Sequence, residues 1–191
     1  MSKFFYDTEF HEDGKTIDLI SIGIVNYDTG DTFYAVSSEF DGERVAKNWW
    51  LMENVMSSID HETYTVCNSE GFPIERGLFV TDEACMPRDC IKDNILSFVN
   101  EGEGPAELWA WYSAYDHVCL AQLFGKMIDL PLEIPMTTYD IKQLHKLAGY
   151  CDMPKQPEGL HNALEDAKFN VVRYNYLKEV LDGKNLREAK L

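Results

Sequence analysis

Apolar positions alternate with period two near the start of the chain and mostly follow a helical spacing after it. Phe4-Phe5-Tyr6 is a short apolar run that ends in Asp7-Thr8-Glu9 and predicts a first strand. Residues 11–15, with an Asp-Gly step, read as a turn. Residues 17–25 put Ile20, Ile22 and Ile24 on one face and predict a second strand. Residues 26–30 form a hairpin loop, and residues 32–37 a third strand. Three strands joined by short loops make an antiparallel meander.

A helix is expected over about 43–57, containing Trp49, Trp50 and Val55. Residues 58–87 carry Gly71, Pro73, Gly77, Cys85 and Pro87 with no sustained period, and read as an insertion or lid-like excursion. Helical spacing returns over 88–100, through Ile91, Ile95 and Phe98 or Val99. Residues 107–113 predict an aromatic strand, followed by a helix over about 116–128 that buries Val118, Ala121, Leu123 and Phe124. A short strand at 137–139 and a helix at 141–147 come next, then a loop marked by Pro154 and Pro157. The last helix is expected over about 162–181, with Leu164, Ala167, Val171, Tyr174 and Leu177 facing inward. The order βββ, then α, β, α, β, α, predicts an α/β domain: a mixed sheet with helices on its faces.

Composition narrows the function classes. A length of 191 residues suits a single domain spanning 1–191 with one insertion, and 45% apolar residues suit a packed core. The net charge of −16 excludes a simple basic nucleic-acid wrapper or a binder of anionic membranes. It does not exclude a nuclease, because a carboxylate cluster that holds divalent metal is itself acidic when empty. The charge is uneven: residues 1–146 hold 10 basic and 26 acidic side chains, residues 147–191 seven of each. Five cysteines without a CxxC pair give no zinc-knuckle spacing and suit reduced thiols in a cytoplasm. No apolar run approaches the roughly 20 residues of a membrane span, and the early Asp7 does not suit a signal peptide.

Three short motifs carry candidate chemistry. In a strand, Asp7 and Glu9 point to one face and set two carboxylates side by side, an arrangement a hard cation relieves. Asp116 sits where the aromatic strand hands over to a helix, where ligands gather in α/β sheets; a helix N-cap is the plainer reading. His161 precedes Asp166 by five positions, which is about 140° around a regular helix. Both reach one site only if His161 lies at or before the cap, as the preceding prolines permit. A histidine there can take a proton from water.

Taken together, Asp-x-Glu, Asp and His-x₄-Asp resemble the DEDDh class of 3′→5′ exonucleases of the RNase H-like fold. Within it the chain is most similar to the RNase AS group of small bacterial exoribonucleases. The matching segments are 5–10, 16–24, 34–37, Leu108-Trp-Ala-Trp111 and 114–118. The resemblance implies an RNase H-like mixed sheet, with Asp7, Glu9, Asp116 and Asp166 as ligands of two divalent ions, Mg²⁺ or Mn²⁺. It implies His161 as general base, removal of AMP from single-stranded, adenylate-rich RNA 3′ ends, and a homodimer. Residues 58–90 are longer than the group would lead one to expect. Phe10, Tyr112 and Tyr115 fall near this site and can stack on bases. His11, two residues past the pair, is a further substrate-contact candidate beside a plainer structural role. Trp109 and Trp111 read as core. A DNA exonuclease of the same class would use identical catalytic residues, and an acidic mimic of nucleic acid would account for the charge alone.

Overall fold

The computed structural model describes residues 2–102 and 105–188, with 184–188 described in backbone only. Strands β1 (Lys3–Glu12), β2 (Ile17–Asn26) and β3 (Thr32–Ser37) form the expected antiparallel meander. The first turn closes through Asp13, whose Oδ1 accepts from the N–H of Lys15 (2.9 Å) and Thr16 (2.8 Å). Strand β6 (Cys85–Met86) joins β3 in parallel, β7 (Glu107–Ala110) joins β1 in parallel, and β8 (Tyr139–Asp140) joins β7 in parallel. The six-stranded order is β6-β3-β2-β1-β7-β8, a mixed sheet flanked by helices, as an RNase H-like fold requires.

Each sheet face has its own core. On one, Phe4, Tyr6, Ile22, Ile24 and Leu108 pack against Ile91 and Ile95 of α3 (Arg88–Asn100) and Leu120 of α4 (Ser113–Gln122). On the other, Phe5 and Val25 pack against Ile141 of α5 (Ile141–Leu147) and Ala167, Tyr174 and Leu177 of α6 (Ala163–Glu188). Ile20 departs from its expected face. The β1–β2 register passes from Glu9↔Ser21 to Phe10↔Leu19, so Ile20 is the extra residue of a bulge. A bulge re-aims side chains, and Ile20 packs with Val36, Val45, Leu51 and Leu78 instead.

Several expected boundaries move; α4 ends at Gln122 and not near 128, and β8 is Tyr139–Asp140 and not 137–139. The helix expected over 43–57 is two helices, α1 (Gly42–Lys47) and α2 (Trp49–Asn54), followed by a 3₁₀ turn at Met56–Ser58. Asn48 divides them: its Oδ1 accepts from the N–H of Trp50 (3.1 Å) and Leu51 (3.2 Å), so it caps a new helix instead of continuing the old one. The stretch 58–87 holds a hairpin, β4 (His61–Cys67) with β5 (Pro73–Val80), then β6. Its Leu78 packs in the cluster of α1 and α2. The aromatic strand ends at Ala110, and α4 starts at Ser113 because Tyr112, with φ 61°, turns the chain. The last helix runs on to Glu188. Among the described residues no helix is long and apolar enough to cross a membrane.

Candidate active site

The site grows from the middle of β1, which continues past Glu9 to Glu12. Asp7 and Glu9 share the Phe5 face, the one that packs on α6. Across the ladder, Asp7 pairs with Gly23 of β2. A Cβ on Gly23 would lie closer than 3.0 Å to backbone atoms of Ala163 and Leu164. The first turn of α6 therefore rests directly on the sheet, and it carries Asp166.

His161 lies before this helix in the left-handed region, with φ 63°. Asn162 caps the helix, its Oδ1 accepting from the N–H of Leu164 (3.1 Å) and Glu165 (3.2 Å). The His161 backbone N–H turns back and donates to Asp166 Oδ2 at 2.8 Å. The imidazole stands edge-on to Trp50, with ring centres 4.8 Å apart. Glu9, His161 and Asp166 each place a ligand atom within 4.8 Å of the others.

Asp116 comes from the opposite face of the sheet. It is buried in the first turn of α4 and does not cap it; the cap position is Tyr112. Its Oδ1 instead accepts from Thr8 N–H (2.9 Å) and Thr8 Oγ1–H (2.8 Å). Thr8 thus holds Asp116 beside Asp7 and Glu9, and all three line one cleft of about 470 Å³ together with His161.

The four carboxyls are uncomfortable as ions. Burial, then Asp116, Glu9 and Asp166, hold the Asp7 carboxyl well above the usual carboxylate range. Burial, then Asp166 and Asp116, push Glu9 up to about 8. Burial pushes Asp116 up to about 7 against the pull of its Thr8 hydrogen bonds. Asp166 is raised by burial, with its bond from His161 N–H and the charge of Arg173 opposing. An all-oxygen set of buried, mutually repelling carboxyls with a neighbouring imidazole suits hard divalent cations.

Phe10, Tyr112 and Tyr115 also line this cleft. Tyr112 and Tyr115 are 54% and 55% exposed, and Phe10 stacks on Tyr115 with ring centres 6.1 Å apart. Trp111, read as core, lines the cleft too, whereas Trp109 is packed against Tyr139 and Phe5. His11 is buried and contributes nothing to the cleft lining. A second cleft of about 380 Å³ adjoins the first across Glu9 and Phe10, bounded by Glu12, Asn48, Trp50 and Leu51.

Three nearby residues had not stood out in the sequence. Asn170, fully buried, donates to Tyr6 O (3.1 Å) and accepts from Arg173 Nη1 (2.7 Å). Asn170 and Arg173 follow Asp166 by four and seven positions, so a polar stripe at helical spacing was there to be read. Trp50 gave no such signal; only the fold brings it to His161.

Comparison with known proteins gives two findings. A family profile described as the 3′-5′ exoribonuclease Rv2179c-like domain matches residues 2–178. Two relatives from Mycobacterium tuberculosis, 3′-5′ exoribonuclease Rv2179c of strain H37Rv and 3′-5′ exoribonuclease MT2234.1 of strain CDC 1551, are each 37% identical over 182 residues. The match covers 95% of this chain and 96% of each relative.

Proposed function

Because the chain belongs to the Rv2179c-like 3′-5′ exoribonuclease family, we propose that it is a metal-dependent 3′→5′ exoribonuclease of DEDDh type. In this reading it acts on single-stranded, adenylate-rich RNA ends and releases 5′-monophosphates. The observation that carries this is the convergence of Asp7, Glu9, Asp116 and His161 on one cleft, with Asp166 within 4.8 Å of Glu9 and His161 and holding the His161 backbone.

The four carboxylates would hold two divalent ions, Mg²⁺ or Mn²⁺. When bound, these supply Lewis acidity that offsets the charge developing on the phosphate and the leaving oxygen. His161 takes the proton of the attacking water. Its place is fixed by the backbone bond to Asp166 and the edge-on contact with Trp50, which hold the imidazole in the lining of the cleft beside Glu9. The bond from phosphorus to the 3′ oxygen breaks, and the phosphate leaves on the 5′ carbon of the released nucleotide. Phe10 and the tyrosines form apolar walls that accept unpaired bases.

The second cleft supports adenine as the terminal base. Phe10 and Trp50 offer flat surfaces, and Glu12 and Asn48 offer polar edges. Asn48 Oδ1 is already used at the helix cap, so its amide N–H groups remain to donate. Adenine presents an acceptor ring nitrogen beside a donor amino group, an edge that would complement Asn48 and Glu12 and that uracil lacks. Exposed Phe72 and Ile74 on the β4–β5 hairpin, 63% and 67% accessible, favour a homodimer.

The test is digestion of matched 5′-labelled adenylate, uridylate and DNA oligomers with Mn²⁺. Single-nucleotide ladders that stop on chelation are expected. Internal cuts would reject an exonuclease, equal rates on adenylate and uridylate would reject the base preference, and faster digestion of DNA would favour the DNA enzyme. Sedimentation at several concentrations reads the oligomeric state.

A further inference from the structure

Two cations rest on one indole ring at the edge of the carboxylate cleft. Trp111 follows β7 and lines that cleft. Lys142 Nζ stands 4.6 Å from the centre of the Trp111 ring and 5.4 Å from that of Tyr112. The Arg173 guanidinium carbon stands 4.8 Å from Trp111 and 4.7 Å from Phe169. The fold explains the meeting. Lys142 opens α5 directly after β8, and Arg173 sits two turns beyond Asp166 on α6. Both are therefore on the strand-end side of the sheet, where ligands of such sheets bind.

Neither cation is in a direct ion pair, although Arg173 feels the charges of Asp166 and Asp7 at longer range. Lys3, Arg44, Lys47, Arg88, Lys92 and Lys168 each form an ion pair within 4.0 Å. Among the described residues Lys142 and Arg173 form none, and neither do Lys15, Arg76, Lys126, Lys146, Lys155 and Lys178; what sets this pair apart is its shared seat on Trp111 beside the cleft. Arg173 gives one N–H to Asn170 and has four others to offer. A cation held against an aromatic face is fixed in place while its donors stay available. The arrangement suits a bound anion.

We propose that Lys142 and Arg173, presented by Trp111, form a phosphate subsite for the RNA backbone upstream of the scissile bond. This rests on the exoribonuclease reading. The two clefts lie on either side of Glu9 and Phe10. With the terminal base in the Trp50 cleft, the rest of the strand leaves over Trp111 and Tyr112. Its next phosphate then needs a positive partner, and this pair is placed to supply one. A dinucleotide, whose only internucleotide phosphate is the scissile one, does not reach the subsite. Longer strands do.

The test is fluorescence anisotropy with oligoadenylates of two and five nucleotides, made resistant by phosphorothioate linkages, titrated with metal-loaded protein over a range of KCl. Wild type is expected to bind the pentamer more tightly than the dimer. Lys142→Gln and Arg173→Gln should each weaken pentamer binding by roughly tenfold, the usual scale for a charged hydrogen bond. The slope of log affinity against log salt should flatten by about 0.7 per cation lost. Lys142→Arg and Arg173→Lys, which keep the charge, should restore the slope. An unchanged salt slope in the Gln variants overturns the subsite, as does equal weakening for dimer and pentamer. Wild-type protein that binds neither oligomer and leaves 5′-labelled RNA intact with Mn²⁺ fails the exoribonuclease reading itself. Active wild type with Gln variants that match it fails only the subsite.

Discussion

Replacing Gly23 by alanine tests how the last helix is seated. In β2 the residue is extended, so alanine is conformationally permitted and only space opposes it. The added Cβ would come closer than 3.0 Å to the backbone of Ala163 and Leu164, against an ordinary contact of 3.4–4 Å. No side chain can swing aside, because the obstructing atoms are main chain. Relief requires the first turn of α6 to lift by about 1 Å, at a cost of about 1–3 kcal/mol. At this size that is a fall of roughly 2–12 °C in Tm. The same lift carries Asp166 and, through the 2.8 Å bond to its backbone N–H, His161 away from Glu9. A misplacement of that size costs about 10²-fold in rate. The assay is kcat on a 5′-labelled oligoadenylate, with melting curves taken with and without Mn²⁺. Gly183→Ala is the control: it lies in the same helix with nothing within 4 Å of the added Cβ, and should leave the rate unchanged. Wild-type turnover and an undiminished Mn²⁺ response in Gly23→Ala would refute this account of the seat.

Asp7→Asn should abolish activity and the melting shift caused by Mn²⁺, yet raise the Tm of metal-free protein, since it removes a carboxyl that burial and three neighbours oppose; a lower metal-free Tm would contradict that balance. Metal-free stability should also fall with pH. Glu9 and Asp116 rise from 4.5 and 3.8 to about 8 and about 7 on folding, so the fold favours their protonated forms. Their stabilising share is complete below their unfolded values and is lost as pH climbs through 7 and 8. Melting temperatures should drop between pH 5.5 and 8.5 in chelator, and Mn²⁺ should reduce the drop; a flat profile in chelator would count against it. His161→Ala should keep its Mn²⁺ melting shift and lose roughly 10²–10⁴-fold in rate, the usual contribution of a positioned base. A near-normal rate, or metal loss as severe as in Asp166→Ala, would remove His161 from that role.

What the sequence disclosed depended on distance along the chain. Asp7 and Glu9 were legible because strand alternation alone puts them on one face. His161 and Asp166 were legible because five residues of spacing across a helix start admit one arrangement. Asp116 stood out by its place at a strand end, but its surroundings favoured a helix cap; what positions it is Thr8, 108 positions away, and the family resemblance turned the reading toward a metal ligand. The β4–β5 hairpin stayed hidden for another reason. Every position of β4 after His61 is exposed, so it has no buried face to print an alternation. The break at Asn48 was missed because apolar residues continue on both sides of it, and a single side-chain oxygen decides the matter. Trp111 was read only in part: it packs on the core as expected and also walls the cleft, and an aromatic strand end looks the same in either setting.

The central sheet ends on both sides in two-residue strands, β6 and β8. Short edges offer little free ladder to another chain, which guards the native protein against edge-to-edge association. The hazard lies inside. Strand β2 is buried at every position from Leu19 to Asn26, carries one charge and no proline, and is flanked by β1 and β3 with helices over its faces. Such a segment pairs readily with copies of itself once uncovered. Heat that opens the meander therefore releases an aggregating strand, and inactivation becomes one-way. The working lifetime of the protein at high temperature is then governed by how fast it unfolds.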